Sequence, residues 1–245
     1  MDNPKKTAVA SMDKFELAED KLFDYLIDKG GLLDDPSSSL LLPASQRRAK
    51  LKKEMHEAAE QLDLNLDLAP ALRILKEEGA SYLDAAKFEE MDAQLDKMPT
   101  YLDQLDLTQP AKESLCTSLH ISDSTLKSIN KVGVAKYDEG NLEGSLSIFG
   151  LLATLDHDNE NSLYRVGIAA AQLEKWDIAL KAFTNAIKLS PEFLGARVFS
   201  AECHVRLGQI NEAKEDIKEA KRLIEISKPD PIWVEVLTSI EEEAK

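Results

Sequence analysis

The sequence is poor in the residues that sheets, turns and membrane spans require. Aromatic residues make up only 6% of its 245 residues, and there are ten glycines and nine prolines. A β-sandwich or barrel needs more turn residues and more alternation of β-branched and aromatic side chains. No stretch approaches the roughly 18 consecutive apolar residues of a transmembrane helix, and the first residues lead into no apolar signal core. These absences argue against an all-β fold and a membrane span, and they predict a cytoplasmic protein.

Patterns for metal binding and for catalysis are also lacking. Two cysteines, Cys116 and Cys203, lie far apart, and the four histidines are scattered. Cys203 and His204 are adjacent, so on a helix they point about 100° apart and cannot face one ion. There is no phosphate-binding loop, no G-x-S-x-G and no H-E-x-x-H motif. We therefore expect no metal, no cofactor and no enzymatic activity, and we expect Cys203 to be a buried, apolar residue.

Positive charge is scarce relative to negative charge. The chain has 45 acidic and 30 basic residues, which gives a formal net charge of −15. Binding to nucleic acid or to an anionic membrane surface needs clustered Lys and Arg, so neither is expected as the main partner. What the sequence does have is abundant Leu, Ala, Glu and Lys, and this composition favours an all-helical protein.

The first half of the chain predicts a series of helices with no visible repeat. Apolar residues recur at helical spacing between Phe15 and Ile27, and Gly30-Gly31 ends that pattern. This stripe could form a homodimer or pack within its own chain. Pro99 and Pro110 predict a linker before the second half. The predicted elements are a flexible start at 1–11 and an N-terminal helical region at 12–110, with helices over 12–29, 45–62, 67–80 and 83–97.

The second half repeats itself every 34 residues. The aligned blocks share a column of small residues, a column of large apolar residues and a turn column: Gly133/Gly167/Ala201, Phe149/Phe183/Ile217 and Gly140/Glu174/Gly208. Small beside large residues at fixed offsets suit two antiparallel helices that cross closely, and a 34-residue period indicates tetratricopeptide repeats. One such pair cannot bury its apolar face alone, so three stacked pairs would share a continuous core.

The predicted fold is therefore all-α, a tetratricopeptide helical-hairpin array of three repeats plus a capping helix, preceded by the N-terminal helical region. Arrays of this kind are binding modules, and the sequence has no catalytic constellation to set against that reading. The predicted tetratricopeptide domain covers 118–245, with repeats at 126–159, 160–193 and 194–227 and the capping helix at 232–244.

Several short runs go beyond what the repeat demands. Residues 121–126 read ISDSTL, residues 149–157 read FGLLATLDH, and residues 167–172 read GIAAAQ. The third repeat has Ala201-Glu202-Cys203, followed by Gly208 and Glu212-Ala213. In this order the runs resemble the class II chaperones of bacterial type III secretion, the SycD/LcrH-like family. The resemblance covers about 118–227, roughly half of the chain.

This resemblance implies a cytoplasmic bacterial chaperone that keeps a hydrophobic translocator or effector soluble until secretion. In the family, an extended cargo segment with spaced Pro and Leu lies in the concave groove of the repeats. An extended peptide offers alternate side chains to pockets on a rigid helical surface. The positions that match the groove are Asn130, Val134, Tyr137, Asn161, Tyr164, Ile168, Ala171, Val198, Glu202 and Val205.

Two other interpretations stay open at this point. The chain could be a tetratricopeptide scaffold or regulatory adaptor of a secretion apparatus, with a folded protein as its partner. Alternatively, the apolar patch Leu40–Leu42 lies between Pro36 and Pro43, and residues 36–43 could occupy the protein's own groove or pack on the N-terminal helices.

Overall fold

The structure, a computed structural model, describes Arg48, Leu64 and residues 66–102 and 115–245. The chain divides into two units, Met1–Asp63 and Leu64–Lys245, and apart from Arg48, which lies in a helix, everything described below belongs to the second. The predictions for 1–11, 12–29, 36–43 and 45–62 therefore lie outside the described residues. The predicted limits of the domains stay a prediction.

The described residues form helices and connecting turns, without a strand among them. Two longer helices and one short helix precede three helical hairpins and a last single helix. A 3-10 turn at Gly79–Ser81 follows the first helix. The helices are α1 Ala69–Glu78, α2 Ala85–Leu102, α3 Leu115–Ser118, α4 Asp123–Asp138, α5 Leu142–Leu155, α6 Glu160–Gln172, α7 Trp176–Leu189, α8 Leu194–Arg206, α9 Ile210–Ser227 and α10 Ile232–Glu243.

Three consecutive helix pairs, α4/α5, α6/α7 and α8/α9, stack in chain order, and α10 packs on the last pair. Each pair coincides with one predicted repeat, although α4 begins at Asp123 rather than at residue 126. Ser122 explains that earlier start, because its Oγ accepts a hydrogen bond from the Thr125 backbone N–H at 3.2 Å and so caps the helix. The predicted all-α array of three repeats with a capping helix is confirmed.

The turn within each pair uses one backbone motif. The residue in the turn column has a left-handed conformation, with φ of 78° at Gly140, 58° at Glu174 and 73° at Gly208. The next backbone N–H then donates to a carbonyl five residues back, at 2.9, 2.9 and 2.8 Å in the three turns. This is the Schellman arrangement, and a residue without Cβ suits its left-handed position best. The middle repeat therefore carries a strained residue where the others have glycine.

Replacing Glu174 by glycine is expected to stabilise the protein. A left-handed backbone costs a residue with a Cβ about 1–2 kcal/mol, and the substitution removes this cost. Part of the stability gained is lost again, because glycine has the larger conformational entropy in the unfolded chain. The free energy of unfolding in urea should rise by about 1 kcal/mol. The matched control Gly208→Ala should lower it by about the same amount, and a destabilising Glu174→Gly would contradict this account of the turn.

The small-residue column allows the helices of each pair to cross closely. A Cβ placed on Gly133 would lie 2.7 Å from a ring atom of Phe149, which is too close for any real side chain. At Gly167 the contact with the Phe183 ring would be closer still. Phe183 is fully buried. In the third pair, Ala201 occupies the small-residue column in place of glycine and is also buried. The glycines therefore make room for the large residues of the partner helix.

Helix α5 is covered on both sides. Most of its residues are buried, whereas an outer helix of such an array would normally keep a polar face. The segment leading into α1 provides the second cover: a Cβ on Gly150 would lie 2.6 Å from Leu66. Ser147 fastens that segment, because its Oγ donates to the Asp67 carbonyl at 2.7 Å and accepts from the Ala71 N–H at 3.0 Å. The described residues 66–101 thus contribute to one core with the first repeat.

Two polar clusters hold the preceding helices on α4. Glu90 of α2 accepts hydrogen bonds from the hydroxyls of Ser122 and Ser124 at 2.7 and 2.8 Å. The hydrogen bond from Ser122, followed by that from Ser124, holds the pKa of Glu90 below its usual range. The carboxylate lies at the N-terminus of α4, where the helix dipole favours a negative charge. The sequence interval between these partners exceeds 30 residues, so neither contact follows from local pattern.

The second cluster centres on Lys136, whose side chain is only 5% exposed. Its Nζ donates to Glu78 at 2.6 Å, to the Tyr82 hydroxyl at 2.6 Å and to Glu139 at 3.1 Å. Hydrogen bonds from the ammonium to Glu78 and then to Tyr82 raise the pKa of Lys136. Lys136 is therefore charged, and this charge ties the end of α1 to the end of α4.

One prediction for this region is wrong. Pro99 was expected to lie in a linker after a helix over 83–97, but α2 continues through Pro99 to Leu102. Proline removes one backbone hydrogen bond from a helix interior. Here the apolar side chains of Met98 and Tyr101 pack into the core beside the first repeat, and this burial favours the continued helix over the break that proline alone would cause.

Candidate binding groove

An open groove of about 630 Å³ runs along the first helices of the three repeats and ends at α10. Its wall is mainly apolar and aromatic. Helices α4, α6 and α8 supply one side chain row each, because residues one turn apart on a helix share a face. The lining residues are Val134, Tyr137, Asp138, Phe149, Asn161, Tyr164, Arg165, Ile168, Phe193, Gly195, Phe199, Ile232, Trp233 and Val236.

An aromatic cluster forms the half of the groove nearest to α10. The Tyr164 ring lies 4.8 Å from the Phe193 ring and 6.2 Å from the Phe199 ring, between centroids. Phe199 in turn meets Trp233 edge to face at 6.0 Å. Gly195 lets Tyr164 and Trp233 approach, since a Cβ there would lie 3.1 Å from each of them. Such rings offer a large, rigid apolar surface at low entropic cost.

Tyr164 is the central residue of this wall. Burial raises its pKa to about 12, against a smaller opposing effect of the Arg165 charge. The hydroxyl therefore stays protonated at neutral pH. Among the described residues it has no hydrogen-bond partner, and it lies against the groove, where a ligand could accept its proton.

Ionisable groups in the groove are few. Arg165 lies with its guanidinium carbon 5.7 Å from the centre of the Phe149 ring, in a cation–π contact. Asp138 is exposed at the end near α4, and Asn161 adds a neutral amide. The lining thus carries one charge of each sign, although the chain as a whole is strongly acidic.

The structure brings five of the ten predicted positions to this groove, namely Val134, Tyr137, Asn161, Tyr164 and Ile168. Asn130 lines an adjoining depression of about 340 Å³, which it shares with Asn161 and Arg165. The half-buried residues Ala171, Glu202 and Val205 lie outside the residues that line the groove. A role in binding stays a prediction for all of these positions.

Val198 is the one of the ten predicted positions that is buried in the core. It is 0% exposed and shares a core cluster with Leu237 and Ile240 of the capping helix. The family resemblance implied an open groove position here, as it did for Asn130 and Tyr164. In the last repeat, however, α10 packs against α8 and covers that position. The neighbouring Phe199 lines the groove instead.

Sequence reasoning also missed lining residues outside the repeat columns. Phe193 precedes α8, while Ile232, Trp233 and Val236 belong to the capping helix. Ile232 is 57% exposed. One signal was available, because the apolar stripe of residues 232–240 is wider than a cap needs to cover the last pair. A cap that also faces the groove explains the extra apolar residues.

Cys203 and Glu202 differ in environment although they are neighbours on α8. Cys203 is 1% exposed, and burial raises the pKa of its thiol to about 12, so it is the buried apolar residue that was expected. Burial also raises the pKa of Glu202, while Arg206, whose guanidinium lies 3.7 Å from its carboxylate, opposes the change.

The described residues contain no group of three or more His, Cys, Asp or Glu side chains placed to hold a metal ion. None of their helices is both long and apolar enough to cross a membrane.

No family model and no curated protein matches the chain. Among solved structures, the CopN–Scc3 complex matches at 16% identity and a TM-score of 0.51, over 64% of this chain and 99% of the matched one. The type III secretion translocator chaperone SycD of Yersinia enterocolitica matches at 20% identity and a TM-score of 0.47, over 55% of this chain and 98% of SycD. The structure of SycD in complex with a peptide of the translocator YopD matches at 21% identity and a TM-score of 0.45, over 51% of this chain and 98% of the matched one.

At 16% identity, the match to the CopN–Scc3 complex shows a shared fold and nothing more.

Proposed function

We propose that this chain is a cytoplasmic type III secretion chaperone whose groove holds an extended segment of a hydrophobic translocator or effector. The single observation that carries the proposal is the aromatic groove itself, which runs across the first helices of the repeats to the capping helix. The motif resemblance supports it, because the runs LDH and AEC are not required by the repeat. The chain then acts by binding, not by catalysis.

The size of the groove fits an extended segment better than a folded domain. A volume of about 630 Å³ lies within the range of small-ligand pockets and accommodates only a few side chains. In an extended segment every second side chain points the same way, about 6.6 Å from the last. The rings of Tyr137, Tyr164 and Trp233 in the groove wall would pack against such alternate apolar side chains.

The charge distribution supports a role in keeping cargo soluble. Apolar side chains of the cargo would be withdrawn from water in a groove with little net charge. The rest of the complex would present the strongly acidic exterior of the chain, whose formal charge is −15. Like charge between complexes opposes their association. A scaffold that binds a folded partner is the competing proposal, and it needs a surface other than the groove.

Co-expression tests the proposal directly. A hydrophobic translocator from the same organism should be insoluble alone and should appear in the soluble cytoplasmic fraction, bound to this chain, when both are expressed. A control variant, Lys181→Gln, changes an exposed charge on α7 away from the groove and should protect the cargo equally well. A translocator that stays insoluble with the wild-type chain would contradict the proposal.

A further inference from the structure

Arg165 is the basic residue among the described residues that line the groove. Its guanidinium rests on the ring of Phe149 inside the groove wall, and the side chain is half-buried. It also lines the adjoining depression that contains Asn130 and Asn161. A group between two concave surfaces is accessible to a ligand in either of them. Its charge is close enough to affect the pKa of Tyr164.

This guanidinium has no carboxylate partner within 4.0 Å among the residues that the structure describes. The arginines of the third repeat differ in this respect. Arg197 pairs with Asp216 at 2.8 Å, and Arg222 pairs with Glu219 at 2.7 Å. Asp138 lies in the same groove as Arg165, but the two do not form an ion pair. In a chain with 45 acidic residues, a groove cation without such a partner calls for an explanation.

Filling the groove would make this cation costly unless the ligand satisfies it. An apolar ligand removes water from the guanidinium, and an uncompensated charge away from water is strongly unfavourable. Arginine offers up to five N–H donors in a planar fork that matches a carboxylate. Hydrogen bonds between ionised partners are about twice as strong as neutral ones. A ligand carboxylate is therefore a better partner than a backbone carbonyl.

The position of Arg165 limits where that carboxylate lies in the ligand. Arg165 follows Tyr164 directly, and adjacent residues on a helix point about 100° apart. A ligand side chain that packs on Tyr164 is thus close to Arg165, but the two protein side chains point in different directions. Since an extended chain advances about 3.3 Å per residue, an acidic residue within one to three positions of the apolar side chain can reach the guanidinium.

We propose that Arg165 makes the groove selective for extended segments that carry Asp or Glu within about three residues of the apolar side chain bound at Tyr164. The inference rests on the proposed function, since it concerns the segment held in that groove. It adds a requirement of charge to a groove that otherwise recognises apolar side chains.

Synthetic peptides test this requirement with the full chain. The probes are fluorescein-labelled 12-residue peptides with a central leucine and a single Glu, placed in turn at each of the three positions before and after it. Each has a twin with Gln in place of Glu. Dissociation constants come from fluorescence anisotropy. At one position or more the Glu peptide should bind about tenfold more tightly than its Gln twin.

Variants assign that difference to Arg165. Arg165→Gln should abolish the preference for Glu, and Arg165→Lys should keep part of it because the charge remains. Lys181→Gln removes an equal charge elsewhere and should leave the preference unchanged. Charge substitution is a better readout than salt, because salt also screens the repulsion between an acidic peptide and this acidic chain.

The outcomes separate this inference from the proposed function. Glu and Gln peptides that bind equally well to the groove would overturn the selectivity but leave the groove a peptide site. A preference for Glu that persists in Arg165→Gln would overturn the assignment to this residue. Failure of both peptides of every pair to bind would overturn the selectivity and would also count against the proposed function.

Discussion

Alanine in place of both Tyr137 and Tyr164 is expected to weaken binding of the cargo segment about a hundredfold. Both rings line the groove, and aromatic residues near the centre of an interface often contribute more than 1 kcal/mol each to binding. A combined loss of roughly 3 kcal/mol corresponds to a factor of about 100 in the dissociation constant. Titration calorimetry with the purified cargo segment measures it.

The control for this pair must separate binding from folding. Tyr164 also contacts the buried ring of Phe183, at 5.8 Å between centroids, so the melting temperature of the double variant is measured alongside. Tyr101→Ala removes a half-buried ring outside the groove, one that packs on His120 at 4.6 Å, and should leave the affinity unchanged. Unchanged binding in the Tyr137/Tyr164 variant would favour a scaffold whose folded partner contacts another surface.

The contact between Gly167 and Phe183 leads to the largest expected change in stability. Phe183→Ala should lower the free energy of unfolding by about 3–5 kcal/mol, because it empties a fully buried site. Gly167→Ala should lower it by about 1–3 kcal/mol through overpacking, since its Cβ would collide with the Phe183 ring. Helix propensity alone predicts the opposite sign for that change, a gain of about 1 kcal/mol.

A double-mutant cycle tests whether the two residues act on each other. Combining Gly167→Ala with Phe183→Leu removes most of the ring that the new methyl group meets. The pair should therefore cost less than the sum of the single variants in urea unfolding. Additive costs, or a stabilising Gly167→Ala in the wild-type background, would show that the column of small residues is not a close-packing requirement.

Much of the array follows from short-range sequence pattern. The 34-residue period located the three helix pairs, the turn column located three left-handed residues, and the small column anticipated the crossing at Gly133 and Gly167. Each of these features is local, because it depends on residues within one repeat and on geometry that every repeat shares. The capping helix, predicted over 232–244, spans Ile232–Glu243, and the signals for it, Pro231 and its own apolar spacing, are also local.

The groove was only half predictable. In the first two repeats the positions implied by the family resemblance include Val134, Tyr137, Tyr164 and Ile168, and all four line the groove. At the end of the array the implied position Val198 fails, because the last repeat meets a capping helix instead of another repeat. This difference buries Val198 and places Phe199 in the groove. The positions that line the groove in the interior repeats therefore do not predict the lining of the last repeat.

The sequence by itself determined that this protein is an all-α array of three helical hairpins. The 34-residue period, the turn residues and the columns of small and large residues occur in every repeat, and they specify the hairpin locally. Only the tertiary structure decided which surfaces of that array stay open. Residues 66–78 cover α5. Glu90 and Lys136 join residues that lie 32 and 58 positions away in the sequence, and Trp233 of α10 forms the end of the groove. Such contacts depend on how separate elements fit together in space, and no local spacing encodes them. The acidic composition set the limits on partners, while the placement of one cation, Arg165, defines what the groove is proposed to select.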